Sequence, residues 1–527
     1  MVRQSRALMP TIILHSRAPR TVISTAPMRQ CILPVLLAGA LHAAVIRGTV
    51  VENQSGHALS RANVILEPVP GSPGTRMTGH TDRFGFFEFA GEPAGAYLLQ
   101  ASRIAFVSAQ YGQKRWNSAG MPLVVTDTDT QFVTIRLLRF GAITGTVVDE
   151  NDVGMYEFEV AAYLNTRPPQ LVAKATTDDH GVYRIYGLLP GNYVVRSAGK
   201  QMDEIGYKPT YGRETDLLDQ ARSVDLEIEQ QVDMGNLRPL PGKLFTLTAS
   251  AQALDPGEEP VTLTFASEMG RQIIHTGADY VSRAFTGLPA GDYEVFGEAP
   301  TDSPQIQGEY QRVSLGKDMA VSLPLKKVPM VSLRFDGKTL QADTDGIQVL
   351  ARRKDLAGTY DNRVLTGTSA RLAPGMWELA VVPGDGYYVS GFSGSGNNAY
   401  RRNQRVDGWN EITVTSRGGQ ARFTLSASVG SLRGMVKDSG NPVVGAPVYL
   451  EPLDLEPARR LTETYVAITD THGQYRFASL APGRYRVMST FEYQAPDSKT
   501  MGIAGAQEVQ VDTRTEASRD LDLYVIR

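Results

Sequence analysis

Cysteine is almost absent: one residue in 527, Cys31. Disulfides and thiolate–metal sites are therefore excluded as sources of stability, and the fold must rest on packed cores alone. Downstream of residue 44 no apolar run approaches the ~20 residues that a bilayer-crossing helix needs, so no transmembrane span is expected in the mature chain. An excess of positive charge is missing too, with 53 basic against 56 acidic side chains, and nucleic acid is not an expected partner. The usual catalytic strings are also lacking. None of His15, His42, His57, His80, His180, His275 and His472 is followed by Glu three positions on, and no His-x-x-x-His occurs, so a zinc hydrolase centre has no ligand set. There is no Gly-x-Ser-x-Gly elbow, and Gly337-Lys338-Thr339 lacks the leading glycine of a phosphate loop. The chain is expected to be no enzyme, with no cofactor and no metal.

The first 44 residues read differently from the rest. Arg29 precedes the apolar run Cys31 to Leu41, and small residues follow at Ala43 and Ala44. This is the pattern of a secretory signal region with cleavage near Ala43 or Ala44, and Met28 is an alternative start. A buried core strand is the competing reading. Loss of five arginines with that segment leaves 48 basic against 56 acidic side chains, a net charge of −8. The expected destination is secreted, periplasmic or associated with the cell envelope.

What the chain does have is a repeat. Thr81-Asp82-Arg83-Phe84-Gly85 leads to Gly95-Ala96-Tyr97, Thr177-Asp178-Asp179-His180-Gly181 to Gly191-Asn192-Tyr193, and Thr469-Asp470-Thr471-His472-Gly473 to Gly483-Arg484-Tyr485, with the same glycine spacing each time. An Asp side chain can accept from backbone N–H groups two or three residues on, and Gly supplies positive φ, so Asp82/Gly85, Asp178/Gly181 and Asp470/Gly473 close a turn. Gly95, Gly191 and Gly483 close the next one. Tyr97, Tyr193 and Tyr485 then start the partner strand facing the core, as do Tyr293 and Trp377 in two degenerate copies where the first turn glycine is Val281 or Leu365. A Gly-centred strand opens each clear copy: Ile46–Val51, Ile143–Val148 and Leu432–Val436. Long helices are not apparent; one short turn is expected around Leu217–Ala221.

The string Gly-x-Val, Ala-x-Val-x-Leu, Thr-Asp-x-x-Gly, Leu-x-Pro-Gly-x-Tyr resembles the carboxypeptidase regulatory-like domain, strongly over 45–110, 141–200 and 430–490 and weakly over 240–427. The resemblance implies a transthyretin-like β-sandwich, akin to collagen-adhesin B-type and starch-binding-like modules, and no peptidase activity of its own. The expected fold is all-β: a tandem array of about five transthyretin-like (prealbumin-like, Ig-like) sandwiches at 45–138, 139–238, 239–327, 328–427 and 428–527, after the signal region 1–44. Modules 3 and 4 are the divergent ones.

Function then has to lie in what varies. His180 and His472 sit in the repeated turn, but the same slot holds Phe84 in the first copy, which favours exposed turn tips over a metal site. Asp178-Asp179 is at most half of a calcium site. Of lysines placed for an intramolecular isopeptide bond, only Lys437 lies near a first strand. The aromatics of the insertions, Tyr111, Trp116, Tyr207, Tyr211, Tyr400 and Trp409, with Tyr387 and Tyr388, suit either stacking on a sugar or peptide partner or sealing one module against the next. The leading expectation is a non-catalytic spacer and binding surface, with polysaccharide or an envelope protein as partner. Two alternatives stay open: a carbohydrate-binding protein using those aromatics, and an enzyme with an unrecognised site within 240–427.

Overall fold

A computed structural model describes residues 44–126, 130–166, 169–202, 204–253, 260–267, 270–299, 307–337, 347–354, 363–395, 409–454 and 464–526. Residues 1–43, where a signal region is expected, and Tyr400 lie outside the described residues. The fold is all-β, and one pairing pattern recurs five times. In module 1 the first strand, Ala44–Glu52, pairs antiparallel with Phe86–Glu92 and parallel with the module's last strand, Thr130–Leu137. The same arrangement holds for Gly141–Val147 with Val182–Leu188 and Gln231–Leu237, and for Phe245–Gln252 with Tyr280–Leu288 and Met319–Pro324. It holds again for Met330–Asp336 with Ser369–Arg371 and Gly419–Ser426, and for Gly430–Asp438 with Gln474–Leu480 and a last strand in two short pieces, Glu516–Ser518 and Leu521–Asp522.

A second sheet faces each of these. In module 2 it runs Gln170–Thr176, Glu159–Leu164, Gly191–Ser197, Ser223–Leu226. Alternation drives the packing, since in Ala44–Glu52 the buried residues are every second one. Five large apolar clusters result, one between each pair of sheets. The expected short turn is a 3-10 helix at Leu218–Gln220. One helix was not foreseen: Ser498–Ile503, whose first turn is capped by Asp497 accepting from the Thr500 N–H. No helix among the described residues is long and apolar enough to cross a membrane.

Candidate functional site

The repeated string is structural, and its parts can be assigned. Asp82 Oδ1 accepts from the N–H of Phe84 and Phe86, Asp178 Oδ1 from His180 and Val182, and Asp470 Oδ1 from His472 and Gln474, all at 2.8–3.0 Å. The reach is two and four residues rather than two or three, because the carboxylate spans the whole turn to the start of the next strand. Gly85, Gly181 and Gly473 close these turns at φ of +73°, +76° and +73°. The threonine ahead of each Asp has a role that the sequence reading missed. Thr81, Thr177 and Thr469 are buried, and each hydroxyl donates to a loop carbonyl (Leu59, Met155, Val443) while accepting from an amide three residues further on (Ala62, Phe158, Ala446).

The second turn is pinned from inside. Tyr97, Tyr193, Tyr293 and Tyr485 each donate the phenol to the carbonyl four residues back, at 2.7–2.9 Å, and Trp377 does so with its indole N–H at 2.8 Å. All five side chains are buried. Gly95, Gly191 and Gly483 begin the strands that carry them.

The insertion aromatics divide. Tyr207 and Tyr211 are 6% and 2% exposed; Tyr207 meets Phe158 edge-on, and the Arg196 guanidinium lies 5.2 Å from the Tyr211 ring centre. Neither offers a flat face to a surface ligand, because their loop folds back onto module 2 and joins residues 240–242 through Lys208 N–H to Leu240 O and Gly242 N–H to Gly206 O. Tyr111 and Trp116 are half-buried. Their loop is cross-braced by Gln110, Gln113 and the buried Ser118, whose hydroxyl oxygen accepts from the N–H of Lys114 and Arg115. Trp409 is half-buried under the Arg352 guanidinium, 3.9 Å from its ring centre. Tyr387 packs on the module 4 core, and Tyr388 is half-buried.

The Tyr111 loop crosses to the last module. Ala119 N–H donates to Phe491 O, Gln494 N–H to Asn117 O, and Ala119 packs on that module's core. Lys114 Nζ lies 2.8 Å from Glu492, and Arg115 binds both the Glu492 carboxylate and its backbone carbonyl at 3.0–3.1 Å. The Glu492 side chain is only 6% exposed, so the two cations offset the cost of burying it. A lone acid in Phe491-Glu492-Tyr493 was the available sequence signal, and it is weak.

The divergent middle is held by charge and rings. Arg353, 5% exposed, lies 4.4 and 4.6 Å from the ring centres of Phe296 and Tyr310 in the preceding module. Arg363 forms a two-pronged pair with Glu298, Arg352 pairs with the fully buried Glu378, and Tyr310 donates to Glu294. Burial and the Glu294 carboxylate push the Tyr310 phenol up.

Asp178, Asp179 and His180 bring ligand atoms within 4.8 Å of one another. All three are exposed, and Asp178 Oδ1 is already committed to the turn. Lys437 pairs with Asp520 at 2.8 Å in the open, which holds that carboxyl below its usual range. In module 2 a cavity of about 180 Å³ is lined by Tyr183, Arg222, Met234 and Asn236.

Residues 431–516 match the family model of the carboxypeptidase regulatory-like domain. No curated protein matches the chain. Among solved structures the chain is similar to the minor pilin of Streptococcus agalactiae (14% identity, 38% of this chain and 97% of that one, TM-score 0.24). It is also similar to a streptococcal ancillary pilin (13%, 55% and 99%, TM-score 0.20) and to a variant of the major pilin subunit of Bacillus cereus (13%, 73% and 99%, TM-score 0.15).

Proposed function

We propose that residues 45–527 form an exported, non-catalytic scaffold of five sandwich modules, with limits near 138, 238, 327 and 427. The scaffold acts in the envelope or outside the cell as a spacer that presents binding surface. The observation that carries this reading is how the insertions are used. The Tyr111 loop is committed to Glu492 of the last module, the Tyr207 loop to the entry of the third, and Arg353 and Arg363 of the fourth to Phe296, Tyr310 and Glu298 of the third. Arg353, Arg363 and Glu298, charged side chains of the kind a reaction centre needs, are engaged in joining modules, which favours a stiff carrier over an enzyme.

Zero-length carbodiimide coupling tests the carrier. Lys114 should join Glu492 in the full chain, with Lys437–Asp520 inside one module as the internal control. A coupled control without the 114–492 product would remove the closing contact on which the reading rests.

A second reading, carbohydrate binding, is favoured by one observation: Trp116 is half-buried beside the exposed Lys114, Arg115 and Asn117. A glycan array and tryptophan fluorescence titrated with polysaccharide check it, and silence in both sinks it.

A further inference from the structure

One position breaks the repeat in module 1 alone. Three residues before the second turn glycine the other modules have leucine: Leu188, Leu288, Leu372 and Leu480. Leu188, Leu372 and Leu480 are at most 1% exposed, and Leu288 packs against its core. Module 1 places Glu92 there, 4% exposed. Among the described residues no donor or cation meets its carboxylate. The nearby Tyr97 hydroxyl is spent on Pro93 O, and burial pushes the Glu92 carboxyl up. A nearly buried carboxylate with no partner is disfavoured, and a cation beside it relieves that cost.

Strand register shows where a cation can come from. Ala44, the first residue of its strand and fully buried, is the antiparallel partner of Glu92. The same pairing joins Gly141 to Leu188, Phe245 to Leu288 and Gly430 to Leu480. In those modules the opposite residue lies inside the chain and has no free amine. Only in module 1 does it follow the expected leader, whose apolar run Cys31 to Leu41 is succeeded by small residues at Ala43 and Ala44.

We infer that hydrolysis of the Ala43–Ala44 peptide bond supplies the counter-ion of Glu92: the new α-ammonium of Ala44 pairs with its carboxylate and locks the first strand into the sheet. The C–N bond breaks and a C–O bond to water's oxygen forms on Ala43. The Ala44 nitrogen keeps its proton, takes one from that water, and holds a third from solvent below its pKa of about 8. Partner Cα atoms in an antiparallel pair lie about 5 Å apart, within reach of a glutamate side chain. The inference rests on the export reading for the peptidase that makes the cut, while the pair itself is a property of the cut chain.

The test uses full-length chains. One is released from a cleavable fusion so that it begins at Ala44, and one carries Gly-Ser ahead of Ala44; each is made with Glu92, Glu92→Gln and Glu92→Leu. Exchange of the Ile46–Thr49 amides should be about ten-fold slower in the Ala44 chain than in the extended one, roughly a 1.4 kcal/mol effect. Glu92→Gln should erase that difference, and Glu92→Leu should erase it while protecting both. Equal rates in the two Glu92 chains overturn the pair. The mass of the chain recovered after export from its own leader should give Ala44 as first residue; another first residue overturns the maturation step, whereas a chain that is never exported defeats the export reading and leaves the exchange result to judge the pair.

Discussion

Modules 1, 2 and 5 differ from modules 3 and 4 in how they fix the same hairpin. The outer three close it with an Asp carboxylate that spans the first turn and a ring that pins the second. The middle two keep the ring, Tyr293 or Trp377, and drop the Asp-Gly turn. They gain the Arg353, Arg363 and Glu298 junction instead. The ring with its bond four residues back is thus the part the fold does not give up, even when tyrosine becomes tryptophan. The first turn is replaceable, because a local bond there can be exchanged for a contact with a neighbouring module.

The comparison breaks most sharply at the ring. Trp377→Ala and Tyr485→Ala should each cost about 3–5 kcal/mol and release hydrogen-exchange protection in the module that carries them. If Trp377→Ala left module 4 as protected as before, the ring would not be the common element. Arg353→Ala comes next, at about 3 kcal/mol for removing a nearly buried cation from its two rings. Its signature is reach: exchange should rise in modules 3 and 4 together. A rise confined to module 4 would mean that the junction does not substitute for the lost turn.

The parts that were legible in the sequence are those whose physics is local. Asp178 and Gly181 are three residues apart and Gly191 and Tyr193 two, so spacing alone announces two turns and a core ring. Thr177 was missed because its two bonds run to Met155 and Phe158, about twenty residues away, and a buried threonine resembles a solvated one in sequence. Tyr207 and Tyr211 sit among Gly, Lys and Thr as surface residues do. Their burial comes from a loop that folds back, which composition does not encode. The Lys114, Arg115 and Glu492 contact joins residues nearly four hundred positions apart, and no repeat or motif ties them.

The turn itself gives a middle-sized effect. Asp178→Ala removes one acceptor from two N–H groups and should cost about 1–2 kcal/mol, read as faster exchange in module 2 with modules 3 and 4 unchanged. Spread into module 3 would place the turn, like the junction, among the elements that couple modules.

The smallest effect separates copies that share the turn. The hairpin strand places Phe87, Tyr183 and Tyr475 over the glycine of the first strand in modules 1, 2 and 5. Tyr475 donates to Arg519 O at 2.6 Å, whereas the Tyr183 hydroxyl is buried and meets no protein partner. Burial pushes both phenols up, so neither ionises in the working range and the bond alone separates them. Removing a satisfied hydroxyl strands its acceptor, while removing an unsatisfied one relieves a desolvation cost. Tyr475→Phe should therefore destabilise module 5 by about 1 kcal/mol, and Tyr183→Phe should leave module 2 unchanged or stabilise it by up to about 1 kcal/mol, measured by exchange in each module. The same sign for both would mean that the Tyr183 hydroxyl is satisfied by water from the adjoining cavity, and that module 2 follows module 5 rather than the phenylalanine of module 1.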